Sequence, residues 1–145
     1  MKTVADILRN KGAGSEVFSV HPRATVLEAM NLMAEKGIGA VLVVEDGKVV
    51  GILSERDYAR KVVQLEKSAY HLDVQSIMTH NVITVTSKHT NEQCMELMTE
   101  KRLRHLPVVD AGILNGLVSI GDLVKDIISD QQSTIEQLQR YIRGT

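Results

Sequence analysis

The sequence predicts an α/β fold of two pseudo-symmetric halves, each running strand, helix, strand, strand, helix. Three observations predict it. First, the chain repeats itself 65 residues on: Thr25 returns as Thr90, Met30 as Met95, Leu32-Met33 as Leu97-Met98, Val43-Val44 as Val108-Val109 and Gly47 as Gly112. No gap is needed between Val17 and Asp57. Two copies would leave a solenoid with open ends, so packing about a pseudo-two-fold axis fits better and creates two related clefts. Second, each copy alternates β-branched runs of strand length with segments whose apolar residues recur at helical spacing. Third, Asp46-Gly47 stands between two such runs, a strong hairpin signal.

The elements follow in order. Val4, Ile7 and Leu8 fall on one face of a short N-terminal helix, which the stretch Lys11-Gly12-Ala13-Gly14-Ser15 ends. Val17 to Val20 reads as a strand closed by Pro22. From Thr25 to Lys36 the apolar residues Leu27, Met30 and Met33 keep helical spacing, with Thr25 and Glu28 as a capping box and Gly37 as the stop. Ala40 to Val44 and Lys48 to Leu53 form the hairpin, and a helix runs from about Glu55 to Gln64. Leu65 to Val74 links the halves, and Gln75 to Thr79 echoes the N-terminal helix. The second half gives a strand over Val82 to Val85, a helix over Asn91 to Lys101, strands over Leu106 to Val109 and Ile113 to Val118, and a helix from Ile120. Beyond the repeat, Ile128, Ile135 and Ile142 lie seven apart with Leu138 between, a heptad-like seam that a partner helix would cover. Ser133 with Glu136 offers an alternative, the start of a separate helix.

Composition narrows the function classes. A chain of 145 residues is one compact domain, and halves of about 65 residues would be marginal alone, so they share a core. Aromatic residues are only 3%, so that core is Val, Ile, Leu, Met and Ala. A net charge of −1 argues against nucleic acid or an anionic membrane as the main partner. The longest apolar runs are strand-length, too short to insert in a bilayer. Met1-Lys2-Thr3 precedes no apolar signal region, and one cysteine excludes an internal disulfide; both fit the cytoplasm.

Each half ends its hairpin with one phrase: Gly51-Ile52-Leu53-Ser54-Glu55-Arg56-Asp57, then Gly116-Leu117-Val118-Ser119-Ile120-Gly121-Asp122. Both place Ser and Asp where a strand becomes a helix. A helix N-terminus suits phosphate, Ser can add a hydrogen bond to it, and Asp in the first turn can accept from paired hydroxyls. Phosphate plus vicinal hydroxyls describes a ribonucleotide. The same residues are also plain capping boxes, and cap and ligand roles are compatible in one residue.

The doubled order of elements with G-x-x-S-x-x-D at each end resembles a tandem cystathionine-β-synthase (CBS) domain pair, or Bateman module. Leu106-Pro107-Val108-Val109-Asp110 and Ile77-Met78-Thr79 strengthen the resemblance, which runs from about Val4 to Ile128. It implies small mixed sheets with helices packed on them and the bacterial stand-alone type. It also implies a non-enzymatic module for an adenosyl ligand: AMP, ADP, ATP, NAD or S-adenosylmethionine, with no metal. By position, Asp57 and Asp122 would hold ribose hydroxyls, and Ser54 and Ser119 would touch phosphate or ribose. Arg104 and His105 would meet phosphate. Thr79, Val82 and Ile83 would line the adenine slot, with Lys11, Val17 and Phe18 as first-half counterparts. The halves differ: Arg56 corresponds to Gly121, and Gly39-Ala40 to Arg104-His105, so the clefts need not bind alike. Arg56 is open between phosphate contact and solvated surface. Relatives pair two modules into a flat disc, which implies a homodimer and a regulated protein that the sequence does not identify.

The repeats divide the chain as 1–73 and 74–130, with a helical tail over 131–145. Lys11 to Ser15 begins like a dinucleotide fingerprint but lacks its third glycine and a preceding strand. The five histidines show no metal-ligand spacing with Cys94, which falls on an apolar helix face and reads as a core thiol. Two rival readings remain: a ligand-free dimerisation or docking scaffold, and a small enzyme, since such pairs also occur inside inosine-monophosphate dehydrogenase. The chain has no barrel and no loop cysteine to support the enzyme.

Overall fold

A computed structural model describes residues 2–12, 16–65 and 71–143. Ala13 to Ser15 of the loop after the first helix, residues 66–70 of the link, and Met1, Gly144 and Thr145 lie outside the described residues. The first half comprises α1 (Val4–Lys11), β1 (Ser19–Val20), α2 (Val26–Lys36), β2 (Ala40–Glu45), β3 (Lys48–Ser54) and α3 (Glu55–Leu65). The second comprises α4 (Val74–Ile77), α5 (Asn91–Lys101), β4 (His105–Asp110), β5 (Ile113–Ser119) and α6 (Ile120–Ile142). The α/β fold with small sheets and packed helices is the one expected.

Local chemistry starts and stops these elements. Thr25 Oγ1 accepts from the Glu28 amide, half of the expected capping box without the reciprocal Glu28 bond, and Gly37 closes α2 in the left-handed region at φ 64°. In the second half Thr90 and Gln93 complete a reciprocal capping box on α5. Asp46 and Gly47 both take positive φ, as the tight hairpin requires, and Ala111-Gly112 does the same. The tail resolves in favour of one helix: α6 runs unbroken for 23 residues, about 34 Å, so Ser133 does not restart it.

One expected element is reduced. In the first sheet β1 runs parallel to β2, and the Leu42 amide donates to Phe18 O at 3.2 Å. The residue equivalent to Leu42 is Pro107, which has no N–H, so the matching bond to Ile83 O cannot form. Val82 N–H turns instead to His80 O at 3.1 Å. The strand expected over Val82 to Val85 therefore shrinks to a single parallel bridge between Val85 and Val108, and the second sheet is the β4-β5 hairpin alone. In the first half the strand expected from Val17 begins at Ser19.

The halves do not share the single core expected of them: each has its own, and the two cores exchange their leading segments. Val4 and Ile7 of α1, which precede the first half, are buried with Val85, Cys94, Met98, Leu106 and Leu123 of the second. Val74, Ile77 and Met78, which precede the second half, are buried with Val26, Met33, Val41 and Leu53 of the first. Matching backbone bonds hold each exchange: Val4 N–H to His89 O at 2.8 Å and Asn91 N–H to Lys2 O at 3.1 Å on one side, Val74 N–H to Ala24 O at 2.8 Å and Val26 N–H to Leu72 O at 2.9 Å on the other.

Two glycines in the repeated phrase make the close approach possible. A Cβ at Gly51 would overlap Met78 Sδ and come within 3.1 Å of Thr79 O; a Cβ at Gly116 would come within 2.8 Å of Leu8 Cδ2. Gly51→Val should therefore destabilise the protein by about 1–3 kcal/mol, the usual cost of overpacking. Gly116→Val should cost less, because it meets only the end of the Leu8 side chain, whereas Gly51 also meets the backbone oxygen of Thr79. Urea denaturation of the two variants checks the order; equal stability to the parent would show that neither contact is tight.

Candidate functional site

A cleft of about 460 Å³ opens between the halves. The first half contributes Val17 and Phe18 before β1 and the turn Gly37 to Ala40 leading into β2. The second contributes His105 at the start of β4, Leu117 and Ser119 on β5, and Asp122 and Lys125 on the first turns of α6. The C-terminal end of α1 closes it with Asn10 and Lys11. The exchange of leading segments places that end here: Val4 and Ile7 anchor α1 on the second half, so Lys11 comes to lie beside the start of α6.

The polar groups form one connected set. Asp122 Oδ2 accepts from the Ser119 amide at 2.8 Å and pairs with Lys11 Nζ at 3.0 Å. Lys11 Nζ also donates to Leu117 O at 2.9 Å. Ser119 Oγ accepts from the Asp122 amide at 3.2 Å, completing the cap. Burial pushes the Asp122 carboxyl up, but the Ser119 amide and the Lys11 ammonium outweigh it and hold the group below the usual carboxylate range. The Ile120 amide donates to Arg104 O at 2.9 Å. Among the first three amides of α6, then, Gly121 N–H alone has no partner among the described residues.

His105 is half-buried, and burial lowers its imidazole below the ordinary value; Asp122 and Asp57 oppose this, while Lys11 and Arg104 reinforce it. A neutral ring here can both donate and accept. Phe18 presents a half-buried aromatic face, with Lys36 Nζ 5.3 Å from its ring centre. Among the described residues no group of three His, Cys, Asp or Glu could hold a metal ion.

The structure thus brings together Lys11, Val17, Phe18, Gly39, Ala40, His105, Ser119 and Asp122. It sets Ser54 and Asp57 at the equivalent junction of the first half, where Ser54 Oγ donates to Asp57 Oδ2 at 3.0 Å and accepts from the Asp57 amide at 3.1 Å. Glu55 N–H donates to Gly39 O at 3.0 Å, mirroring Ile120 and Arg104. Thr79 bridges Ile52 two residues before Ser54, and Val82 and Ile83 follow it, half-buried. Arg56, Arg104 and Gly121 are exposed, outside the lining of the main cleft.

Sequence reasoning missed Asn10, Glu16, Gly37, Ile38, Leu117 and Lys125 as cleft residues. Two carried a usable signal. Leu117 alternates with Ser119 along a strand and so shares its face, and Lys125 sits one turn beyond Asp122 on a helix.

Comparison with known proteins agrees with this geometry. The family model described as CBS domain matches residues 3–64 and 74–129. A solved CBS-domain protein of Burkholderia ambifaria is 52% identical, superposes with a TM-score of 0.86, and the match covers 90% of this chain and 96% of that one. The mitochondrial CBS domain-containing protein CBSX3 of Arabidopsis thaliana is 36% identical over 98% of this chain and 72% of its own length. The CBS domain pair of protein MJ0100, solved in complex with 5-methylthioadenosine and S-adenosylmethionine, is 25% identical with a TM-score of 0.78, covering 90% of this chain and 98% of that one. The repeated phrase, the exchanged leading segments and the cleft between halves accordingly have one explanation: this chain belongs to the CBS domain family, as a pair of CBS repeats.

Proposed function

We propose that the chain is a non-enzymatic sensor that binds an adenosyl ligand in the cleft between its halves and passes the result to a partner protein. The observation that carries this reading is the joining of Ser119, Asp122 and Lys11 in one cleft with Phe18. An adenine can stack on the Phe18 face. Vicinal ribose hydroxyls can donate to the Asp122 carboxylate, which stays ionised. Phosphate can meet Lys11 and His105. The adenosyl compounds bound by the MJ0100 pair support the ligand class. AMP is the simplest ligand with all three parts; ADP, ATP, NAD and S-adenosylmethionine share the adenosine.

The first-half junction supports a second, weaker position. There Ser54, Asp57, Thr79, Val82 and Ile83 offer the matching chemistry, with Arg56 and Arg104 as exposed cations. Because the main cleft takes residues from both halves, a ligand there has differential affinity for their relative arrangements, which is what signalling by conformation needs.

Asp122→Ala should weaken AMP binding by about 1.5–3 kcal/mol, the range for hydrogen bonds to a charged group, and 2′-deoxy-AMP should lose part of this against the parent protein. Asp57→Ala should act only on the second position. Calorimetric titration of both variants tests the reading; unchanged AMP affinity in both would leave two helix caps and favour a ligand-free scaffold.

We further propose a homodimer to which the tail contributes. Ile135, Leu138 and Ile142 are 53%, 56% and 79% exposed and continue the stripe from Ile128. Isoleucine at heptad position a with leucine at d suits two strands, and the flanking Gln132, Thr134, Gln139 and Tyr141 carry no charge to repel a second copy. Light scattering at tens of micromolar should give a dimer that removal of residues from Ser133 onward weakens; a full-length monomer at that concentration would refute it.

A further inference from the structure

We propose that Lys11 sets the specificity of the main cleft: its ammonium occupies the carboxylate that a ribose needs, so the cleft favours ligands whose 5′ group is anionic over neutral ones. The inference rests on the adenosyl reading above and deepens it, from a ligand class to the residue that discriminates within it. Asp122 Oδ2 accepts from the Ser119 amide at 2.8 Å and pairs with Lys11 Nζ at 3.0 Å, which takes both of its lone-pair sites. Oδ1 remains for one hydroxyl, and a vicinal pair engages both oxygens only by displacing a partner of Oδ2. The amide is fixed in the backbone, so the displaced partner is Lys11.

That displacement has a cost which depends on the ligand. The two side chains are only 21% and 19% exposed, so water replaces the lost partner poorly. A neutral ligand that takes the carboxylate leaves the ammonium without its counter-ion. A phosphate on the same ribose repairs the loss: the ammonium passes from carboxylate to phosphate, the hydroxyls take the carboxylate, and every charge stays paired. Lys11 Nζ also donates to Leu117 O at 2.9 Å, a bond that keeps the ammonium in the cleft during the exchange.

Two comparisons within the chain isolate the effect. In the first half Asp57 Oδ2 accepts from the Ser54 amide at 3.1 Å and the Ser54 hydroxyl at 3.0 Å, and no cation pairs with it among the described residues. There one hydroxyl replaces another and no charge is left over. The difference comes from the leading segments: α1 runs eight residues to Lys11, whereas α4 stops after four at Ile77. Lys125 is the second comparison. It lines the main cleft and makes no ion pair among the described residues, so it can meet phosphate without releasing a carboxylate.

Calorimetric titration with AMP, adenosine and 5′-methylthioadenosine tests the inference, in full-length protein carrying Asp57→Ala so that the main cleft is read alone. This protein should prefer AMP to either neutral ligand by about tenfold or more. Adding Lys11→Met should weaken AMP about tenfold and strengthen both neutral ligands about threefold, a gain that also reports an intact fold. Adding Lys125→Met instead should weaken AMP and leave the neutral ligands within about twofold. Tighter binding of neutral ligands on loss of a cation is the decisive sign, because a plain phosphate contact leaves them unchanged and a purely structural lysine weakens all three. If Lys11→Met binds the neutral ligands no tighter, or AMP no more weakly, the inference is wrong while the adenosyl reading stands. If AMP does not bind the Asp57→Ala protein, the adenosyl reading of the main cleft falls and the inference with it.

Discussion

The exchange of leading segments is the constraint on which the rest of the structure depends. Neither half closes its own core. The apolar side chains of α1 complete the second half, and those of α4 and Met78 complete the first. Burial of Val4 and Ile7 contributes on the order of 1.5–3 kcal/mol each, so the second core loses a substantial share of its stability without a segment more than 70 residues away in sequence. The glycines of the repeated phrase permit this packing, because Gly51 and Gly116 are where the exchanged segments cross the hairpins. The cleft is a by-product of the same exchange: Lys11 reaches Asp122 only because α1 is anchored on the far half.

Pseudo-symmetry sets the frame, and a few substitutions break it with consequences. Pro107 in place of Leu42 removes one donor and with it the third strand of the second sheet. Asn91 replaces Val26 in the second core, where its Nδ2 donates to Leu123 O at 3.0 Å and to Asp126 Oδ2 at 2.8 Å. Asp126 in turn holds Lys2, so a buried polar chain ties the N-terminus to α5 and α6. Asn91 Oδ1 has no partner among the described residues, an arrangement that costs about 1–3 kcal/mol and that an apolar core would avoid. In the first half the residue equivalent to Asp126 is Lys61, which instead donates to Ile77 O at 2.8 Å. The polar chain has no counterpart there.

Much of the fold was legible because its signals are local. The hairpin glycines, the Thr25 and Thr90 caps and the helical spacing of Met30 and Met33 each act within a few residues. The Ser119-to-Asp122 phrase was legible as a helix start because its spacing fixes both side chains there, and the structure sets that start at the cleft. The assignment of Lys11, Val17 and Phe18 to the cleft with Ser119 and Asp122 needed the three-dimensional exchange, since repeat logic alone groups residues by half. The lost strand at Val82 was readable in principle from Pro107, whose missing N–H forbids the bond that Leu42 makes.

Cys94 offers the most direct measurement of the exchange. It is the only thiol in the chain and is fully buried in the second core beside α1, and burial pushes its pKa up to about 11, so it reacts slowly in the folded protein. The rate of its reaction with a thiol reagent, compared between the full chain and a chain lacking residues 1–12, isolates the contribution of α1. The account predicts that removing this segment, which precedes the other half, makes Cys94 react as in denatured protein, whereas removing the tail from Ser133 leaves it protected. A thiol that stays as protected without α1 as with it would contradict the exchange of segments.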